Sequence, residues 1–416
     1  MNVFKFGGAS VKDASAVRNV LTVLRKTGPK NKLVVVSAMG KTTNALERVI
    51  QDYLNQKGSE KQALQEVITY HEGIIDELFP KGHEIHQKVA TWFDGLLHFL
   101  SWNKSTTYDF VYDQIICFGE LISTTIISEF LSLHDIKNHW IDAREYVKTN
   151  DVYRDANVDW EGSYEAIQTI DARDTLTITQ GFIGSQQNNF TTTLGREGSD
   201  YTAAIFAYCL NANDVTIWKD VPGVLNGDPR VFKDTQLLHQ ISYEEAIELA
   251  FYGASVIHPK TLQPLQRKEI PLYVKSFLHP ENPGTAVSKG QVIDPLIPCF
   301  IVKKAQVLIS LSSLDFSFIV EDNISEIFSL FHKYQIKVDL IQNSAISFSI
   351  CIDNRFNLLE KLINHLKAKF KVTFTKDVSL YTIRHFTQDA IDTIESGKEV
   401  LLKQLTQETI QLVIKE

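Results

Sequence analysis

The 416-residue sequence contains few cysteines and no excess of basic residues. Its four cysteines are far apart along the chain, so neither CxxC metal pairs nor a disulfide framework is predicted, and all four are expected to be reduced core residues. A net charge of -8 argues against a nucleic-acid surface, although one local basic groove could still bind a small polyphosphate. No run approaches the roughly 18 apolar residues of a membrane span and no signal-peptide pattern is present, so a cytoplasmic protein is expected.

Short apolar runs alternate with amphipathic helical patterns over the first two thirds of the chain. Residues 3–6 and 32–36 are predicted strands, and residues 13–26 repeat Val and Leu at helical spacing before a Gly-Pro pair. A long helical region is predicted from 43 to about 133. This alternation predicts βα units around a mostly parallel sheet, which is an α/β sandwich.

A stretch rich in Pro and Gly, 279–298, interrupts this pattern and predicts a boundary. Residues 307–375 then show the order βαββαβ, which is the ferredoxin-like α+β plan. A strand at 379–383, a helix at about 390–403 and a strand at 410–414 follow, too little for a second complete copy. The predicted division is a catalytic domain at 1–280, a linker at 281–304 and a smaller region at 305–416.

A Lys and two glycines, in Lys5-Phe6-Gly7-Gly8, end the first predicted strand. Ligands of open α/β sheets gather beyond the carboxyl ends of the strands. Paired glycines let backbone N–H groups approach phosphate oxygens, and the Lys ammonium offsets their charge. A Gly-rich turn with a solvated Lys explains this short motif equally well.

Two further segments contain groups that could bind an amino acid. Ser37 and Thr43 flank a glycine after the second strand, where they either cap a helix or offer hydroxyls to a carboxylate. Glu120 stands in an unusually apolar helix, where an unpaired carboxylate would be costly. It therefore needs a cation, which is either a substrate ammonium or a Lys or Arg of the chain itself.

The segment TTTLGREGSDYTAA places charged residues around two glycines at the start of a helix. Arg196 can bind a carboxylate through its guanidinium fork, and Ser199 can donate a hydroxyl to the same group. Asp200 either caps the helix or orients groups near a transferring phosphoryl group. Lys219 and Arg230 lie in turns and would add positive charge at the same sheet edge as Lys5.

Six motifs occur in the order and spacing that is typical of aspartate kinases, which are members of the amino-acid kinase family. They are KFGGASV, VVVSAMGKTTN, CFGELIST, TTTLGREGSDYTAA, WKDVPGVLNGDPR and FYGASVIHPKT. The chain resembles these enzymes over essentially its whole length. The resemblance implies the amino-acid kinase fold and transfer of the ATP γ-phosphoryl group to the β-carboxylate of L-aspartate. The product, 4-phospho-L-aspartate, leads to lysine, threonine and methionine.

The resemblance also implies roles for individual residues. Lys5 and Asp200 match the catalytic positions. The aspartate-binding positions are Ser37, Thr43, Glu120, Arg196 and Ser199. The ATP-binding positions are Lys5, Phe6, Gly7, Gly8, Lys219, Asp220, Leu225, Arg230 and Ser255. Mg²⁺ is expected on the ATP phosphates, and no protein ligand to the metal is assigned.

Three residues depart from the family pattern. Glu197 stands where GRGGSD has a glycine, and Leu225 and Ser255 replace a Tyr and a Lys that are usual in the nucleotide site. Losing those contacts should weaken ATP binding by a few kcal/mol at most, because charged hydrogen bonds are worth about 1.5–3 kcal/mol each. Lys41 is a candidate to compensate.

The C-terminal region resembles the ACT regulatory region of the family, with a truncated second copy. Val338, Asp339 and Ser344 match its effector-binding strand and loop, which implies an amino-acid effector such as lysine or threonine. The resemblance also implies a homodimer or a higher homo-oligomer.

Two competing functions are open at this stage. A sibling kinase acting on N-acetylglutamate or glutamate would share the fold, but an N-acylated substrate has no ammonium to meet Glu120. A catalytically silent amino-acid sensor would explain Glu197, Leu225 and Ser255, whereas intact Lys5 and Asp200 weigh against it.

Overall fold

A mostly parallel sheet and an antiparallel sheet form the centres of two units in the computed structural model. The structure describes residues 1–170, 174–254, 256–315, 317–353 and 358–415. The first unit comprises Met1–Val224, Leu237–Ile247 and Val256–Asp294, and the second comprises Leu225–Gln236, Glu248–Ser255 and Pro295–Glu416. Because the units are interleaved in sequence, the bounds 1–280, 281–304 and 305–416 remain a prediction.

An eight-stranded sheet and a two-stranded hairpin occur in the first unit. The strands are β1 (Asn2–Phe6), β2 (Lys32–Val36), β3 (Asn138–Trp140), β4 (Leu176–Gln180), β5 (Ile183–Ser185), β6 (Thr191–Thr193), β7 (Asp214–Lys219), β8 (Gln240–Ser242), β9 (Leu272–Ser276) and β10 (Thr285–Ser288). The order in the sheet is β3-β4-β2-β1-β7-β9-β10-β8, and only the β9–β10 pair is antiparallel. β5 and β6 form the separate hairpin. The predicted parallel α/β architecture is confirmed.

Strand β1 lies in the middle of this sheet, between β2 and β7. Phe6, its last residue, is in register with Val36 at the end of β2 and with Trp218 near the end of β7. Parallel strands end at the same sheet edge, so the segments that follow β1, β2 and β7 start side by side.

Ten helices accompany these strands in the described residues. They are α1 (Ala14–Thr27), α2 (Thr42–Leu54), α3 (Glu60–Leu78), α4 (Ile85–Trp102), α5 (Tyr108–Leu133), α6 (Ala143–Tyr146), α7 (Trp160–Ile167), α8 (Gly198–Leu210), α9 (Tyr243–Tyr252) and α10 (Pro259–Lys268). The helical region predicted from 43 to about 133 is therefore four helices, α2 to α5. Ten of the thirteen residues of α8 are buried, which explains why this helix is apolar on all sides.

Helix α5 corrects the expectation that no segment approaches a membrane span. Its 26 residues are long and apolar enough to cross a membrane by length and composition alone. Most of them are nevertheless buried inside the first unit, as in the core helix of a soluble protein. Two of its four acidic side chains, Asp113 and Glu120, are buried with them.

The second unit is built on a six-stranded antiparallel sheet. Its main elements are β11 (Cys299–Ser313), α11 (Glu321–Lys333), β12 (Val338–Asn343), β13 (Ser347–Asp353), α12 (Leu359–Leu366), β14 (Phe370–Arg384), α13 (Gln388–Glu395), β15 (Glu399–Leu405) and β16 (Thr409–Lys415). The strand order is β12-β13-β11-β14-β16-β15. The predicted βαββαβ order is confirmed in β11 to β14, and β16 and β15 extend the sheet.

Two predictions for this unit are wrong. The helix predicted at about 390–403 ends at Glu395, because Gly397 turns the chain with a positive φ of 70° and β15 begins at Glu399. The last strand of the βαββαβ order predicted over 307–375 and the separate strand predicted at 379–383 are parts of the single long strand β14. The prediction of reduced core cysteines is confirmed, since all four are buried and none forms a disulfide within the described part of the chain.

Candidate active site

Two lysines share one buried carboxylate at the carboxyl edge of the parallel sheet. Lys5 lies on β1 and Lys219 is the last residue of the neighbouring strand β7. The Lys5 ammonium lies 2.5 Å from Oδ1 of Asp200, and the Lys219 ammonium lies 3.4 Å from Oδ2. Asp200 has no solvent exposure and occupies the first turn of α8.

The charge balance of this cluster is positive. Burial disfavours the charged form of Asp200, but the ammoniums of Lys5 and Lys219 outweigh burial and lower the pKa of its carboxyl group. Asp200 is therefore ionised at neutral pH and offsets one of the two positive charges. The remaining positive charge, beside the N-terminus of a thirteen-residue helix, suits a phosphate group.

Lys219 makes a second contact in the first unit. Its ammonium also donates a hydrogen bond to the Val256 carbonyl oxygen, at 2.5 Å. Ser255, where the family usually has a lysine, lies outside the described residues. Lys219 thus places an ammonium beside the residue that follows position 255. Lys41, the residue suggested above to compensate for the missing lysine, has an exposed side chain.

Close packing of two loops fixes the segments after β1 and β2. The Gly40 N–H donates to the Gly8 carbonyl at 3.0 Å, and the Ser37 N–H donates to the Phe6 carbonyl at 3.1 Å. A Cβ at Gly8 would lie 2.9 Å from the carbonyl oxygens of both Ala38 and Gly40. Only glycine fits at position 8, so the KFGG segment has a packing requirement in addition to any role with phosphate.

Glu120 is buried with half of its hydrogen-bonding capacity unused. Its side chain accepts a hydrogen bond from the Ala38 backbone N–H, while Oε2 has no partner within the described residues. Burial raises the pKa of the Glu120 carboxyl to about 8, and neither the nearby Lys5 nor the Ala38 N–H offsets this. No lysine or arginine in the described part of the chain forms an ion pair with Glu120. A cationic ligand at this position would therefore pair with the unpartnered oxygen of Glu120.

Arg196 and Ser199 lie at the start of α8. Arg196 is exposed and makes no ion pair with the residues that the structure describes, whereas Ser199 is buried. Gly181, which follows β4, allows this arrangement, because a Cβ there would lie 2.8 Å from the Cα of Ser199. Glu197, the residue before α8, has a positive φ of 55°. Thr43 lies in the first turn of α2 and is half-buried.

The remaining predicted nucleotide residues form no ion pair with Asp200 among the described residues. Leu225 and Arg230 belong to the second unit, where Arg230 is 82% exposed and forms an ion pair with Asp228 at 2.7 Å. Asp220 follows Lys219 and is exposed. Their roles, like those of Phe6 and Gly7, remain predictions.

The predicted effector residues lie on an edge strand and turn of the second unit. Val338 and Asp339 are the first two residues of β12, and the exposed Ser344 follows this strand. The Asp339 carboxylate is nearly fully buried and lies 2.7 Å from the Lys303 ammonium. Its negative charge is thus already paired inside the chain.

Sequence reasoning missed Asp113. This fully buried residue on α5 accepts hydrogen bonds from Thr193 and from the Arg154 backbone. Burial raises the pKa of its carboxyl to about 6, despite these hydrogen bonds. The signal that singled out Glu120, an acidic residue in an apolar helix, also applies to Asp113, seven residues earlier.

Comparisons with known proteins agree with this fold and cluster. A model of the amino acid kinase family matches residues 1–276. The lysine-sensitive aspartokinase 3 of Escherichia coli is 32% identical over 409 residues, which cover 96% of this chain and 89% of that protein. The structure of E. coli aspartokinase III in complex with aspartate and ADP superposes with a TM-score of 0.84 at 28% identity, covering 100% of this chain and 96% of that chain. The complex of the same enzyme with lysine and aspartate gives a TM-score of 0.82, also at 28% identity, with 99% and 95% covered.

A parallel α/β sheet with two lysines that share a buried carboxylate at its carboxyl edge, together with the family match, defines an amino acid kinase. The chain belongs to the amino acid kinase family and, within it, to the aspartokinases. The resemblance drawn from the six motifs is therefore confirmed, as is the prediction of a kinase with a C-terminal regulatory region.

Glu197 provides a test of backbone strain at the site. A side chain in the left-handed region costs about 1–2 kcal/mol, and glycine avoids that cost. Glu197→Gly is expected to raise the free energy of unfolding by about 1 kcal/mol, measured by urea denaturation. Glu197→Ala removes the charge but keeps the Cβ, so it should give no comparable gain. Equal gains in both variants would attribute the effect to charge and contradict the strain argument.

Proposed function

We propose that this protein transfers the γ-phosphoryl group of ATP to the β-carboxylate of L-aspartate. The products are ADP and 4-phospho-L-aspartate, at the start of the route to lysine, threonine and methionine. The observation that carries the proposal is the buried Glu120 carboxylate with an unpartnered oxygen, close enough to Lys5 for the two charges to interact. A kinase that acts on an amino acid needs an anion that pairs with the ammonium of this substrate. It also needs a cationic centre that binds the phosphates of ATP.

Aspartate is held through its charged groups. Glu120 receives the α-ammonium, and the free guanidinium of Arg196 receives a carboxylate. The hydroxyls of Ser37, Thr43 and Ser199 donate further hydrogen bonds. An N-acylated acid would leave Glu120 buried without a cation, which favours a substrate with a free amino group.

The phosphates of ATP are held by cations and backbone N–H groups. Lys5 and Lys219 supply ammoniums, and Gly7 and Gly8 let the backbone approach the phosphate oxygens. The resemblance adds Phe6, Asp220, Leu225, Arg230 and Ser255 as further nucleotide contacts. In this arrangement Asp200 holds the two ammoniums in place.

The reaction needs no general base from the protein. An aspartate side chain with a pKa of about 3.9 is already ionised at neutral pH, and its oxygen attacks the γ-phosphorus while the bond to the β,γ-bridging oxygen breaks. Such transfers depend mainly on positioning and on stabilising the charge of the transferring group. Asp200, whose pKa is lowered, fits an orienting role better than a proton-accepting one.

We place Mg²⁺ on the ATP phosphates. No group of three or more potential acidic, His or Cys ligands occurs among the described residues, and Asp200 is already engaged by two ammoniums. When bound, Mg²⁺ would neutralise phosphate charge beside Lys5 and Lys219.

We further propose a cytoplasmic homodimer regulated by lysine or threonine through Val338, Asp339 and Ser344. Exposed apolar side chains in the second unit, Leu314, Phe318 and Leu405, support dimerisation through that unit. Titration of the activity with lysine and threonine, alone and together, tests the effector. An activity that neither amino acid changes would contradict the proposed regulation. Light scattering gives the oligomeric state.

The activity is tested by trapping the acyl phosphate with hydroxylamine. Purified protein is incubated with ATP, Mg²⁺ and hydroxylamine, and with L-aspartate, L-glutamate or N-acetylglutamate in parallel. We expect hydroxamate and stoichiometric ADP with aspartate alone, because N-acetylglutamate has no ammonium for Glu120 and the side chain of glutamate is one methylene longer than that of aspartate.

Two lysine variants complete that experiment. Lys5→Met removes the ammonium and should lower kcat at least 100-fold, consistent with the loss of about 2.7–4 kcal/mol of electrostatic stabilisation. Lys26→Met removes an exposed ammonium on α1 and should leave the rate unchanged. Product with another acid would overturn the substrate assignment, and no product with any acid would overturn the kinase.

The pH dependence tests the role of Glu120. At pH values below its pKa of about 8, the Glu120 carboxyl of the free enzyme is mostly protonated and cannot pair with an ammonium. Therefore kcat/KM for aspartate, which reports groups of the free enzyme, should rise with pH up to about 8 and then level. Glu120→Gln should flatten this limb and lower kcat/KM about 30-fold, which corresponds to about 2 kcal/mol.

Glu129→Gln is the matched control for this profile. Glu129 lies on the same helix but pairs with Lys88 at 2.7 Å, outside the cluster. It should keep the wild-type pH profile. An unchanged rising limb in Glu120→Gln would assign the titration to another group and contradict the proposed role.

A further inference from the structure

The buried carboxylate of Asp113 joins helix α5 to the strand that leads into the active-site end of α8. Its Oδ2 accepts hydrogen bonds from the backbone N–H groups of Thr193, at 2.9 Å, and Arg154, at 3.0 Å. Its Oδ1 accepts the Thr193 hydroxyl at 2.7 Å. One side chain therefore fixes the backbones of two separate segments, in surroundings where lost hydrogen bonds are not replaced by water.

Thr193, the last residue of β6, and the residue that follows it make further backbone hydrogen bonds. Its carbonyl oxygen accepts the Ala156 N–H at 2.9 Å, and the next residue, Leu194, donates its N–H to Phe182 at 2.9 Å. The chain then reaches Arg196 three residues after Thr193. The position of Arg196 therefore depends on the end of β6, and the end of β6 is tied to α5 through Asp113.

The same helix holds Glu120 seven residues further on. Residues seven apart lie on nearly the same helix face, about 10 Å apart along the axis. Helix α5 therefore fixes the distance between the Glu120 carboxylate and the point where the Arg196 segment is anchored. A rigid helix is better suited to this than the loop that holds Arg196.

We propose that Asp113 is a positioning residue for the amino-acid substrate. It sets the separation between Glu120 and Arg196, the two groups that receive the ammonium and a carboxylate of aspartate. This inference rests on the proposed function, and it assigns Asp113 no contact with either substrate.

The proposal predicts a selective kinetic effect. The phosphate-binding lysines lie on β1 and β7, which the Asp113 hydrogen bonds do not join. Loss of these hydrogen bonds should therefore weaken aspartate binding and leave ATP binding nearly unchanged. A purely structural role would lower the amount of folded enzyme or affect both substrates alike.

Steady-state kinetics of the full-length protein test this. Asp113→Leu removes both acceptor oxygens, and with them all three hydrogen bonds, and is expected to raise KM for aspartate at least tenfold while KM for ATP stays within twofold. Asp113→Asn is expected to recover KM for aspartate to within threefold, because the amide oxygen can accept the two backbone N–H groups while its NH₂ donates to the Thr193 hydroxyl. Thr193→Val, which removes only the hydroxyl, should raise KM for aspartate two- to fivefold.

Ser128→Ala is the matched control on the same helix. Ser128 is buried and donates to Asn138 at 2.7 Å, so its loss also removes a buried hydrogen bond of α5, but to β3. It should leave both KM values unchanged. Thermal melts establish that each variant is folded. If Asp113→Leu does not fold, KM for aspartate in Thr193→Val tests the positioning role.

The outcomes separate this inference from the proposed function. Wild-type protein without aspartate-dependent turnover overturns the function, and the inference with it. Active wild-type protein whose Asp113→Leu and Thr193→Val variants keep KM for aspartate within twofold overturns the inference alone. Equal rises in both KM values, or Asp113→Asn as impaired as Asp113→Leu, also overturn it.

Discussion

The two ion pairs of Asp200 are the interaction on which the candidate active site depends. Lys5 and Lys219 come from adjacent parallel strands, so their ammoniums face each other at one sheet edge and would repel without an anion between them. Removing one partner of a buried ion pair typically costs about 3–5 kcal/mol. The first turn of α8 must therefore reach the end of the sheet, and the close approach of Gly181 to Ser199 makes this possible. Ser199 comes to the same edge because it precedes Asp200 in that turn, and Arg196 lies in the segment just before the helix.

Helix α5 shows how one environment gives two carboxylates different roles. Asp113 and Glu120 are both buried in an apolar helix, and burial raises the pKa of each. Asp113 accepts three hydrogen bonds, and its pKa is about 6; Glu120 accepts one from the Ala38 N–H, and its pKa is about 8. The satisfied carboxylate holds backbone segments together, and the other keeps an oxygen without a partner in the described residues. The number of hydrogen bonds, rather than burial, separates the structural carboxylate from the candidate binding carboxylate.

The sequence predicts the site where local rules decide the geometry. Parallel strands end at one sheet edge, so the neighbourhood of Lys5, Ser37 and Lys219 follows from the βα pattern. The sharing of Asp200 by two lysines could not be predicted, because it depends on how α8 packs against β1. Asp113 was missed for a related reason, since its partners are backbone N–H groups 41 and 80 residues away. The helix predicted at 390–403 is wrong beyond Glu395, because Gly397 turns the chain and β15 begins at Glu399.

The interleaving of the two units limits how the chain can be divided. The chain passes from one unit to the other after residues 224, 236, 247, 255 and 294, so no single cut separates a kinase from a regulatory tail. Phe232, two residues from Arg230, packs against Phe300 and Tyr381 with ring centroids 5.4 and 6.5 Å apart. A truncation before residue 295 would strip these aromatic partners from the segment that bears Leu225 and Arg230. The C-terminal region is thus part of the scaffold of that segment, so its removal would expose aromatic side chains that it now covers.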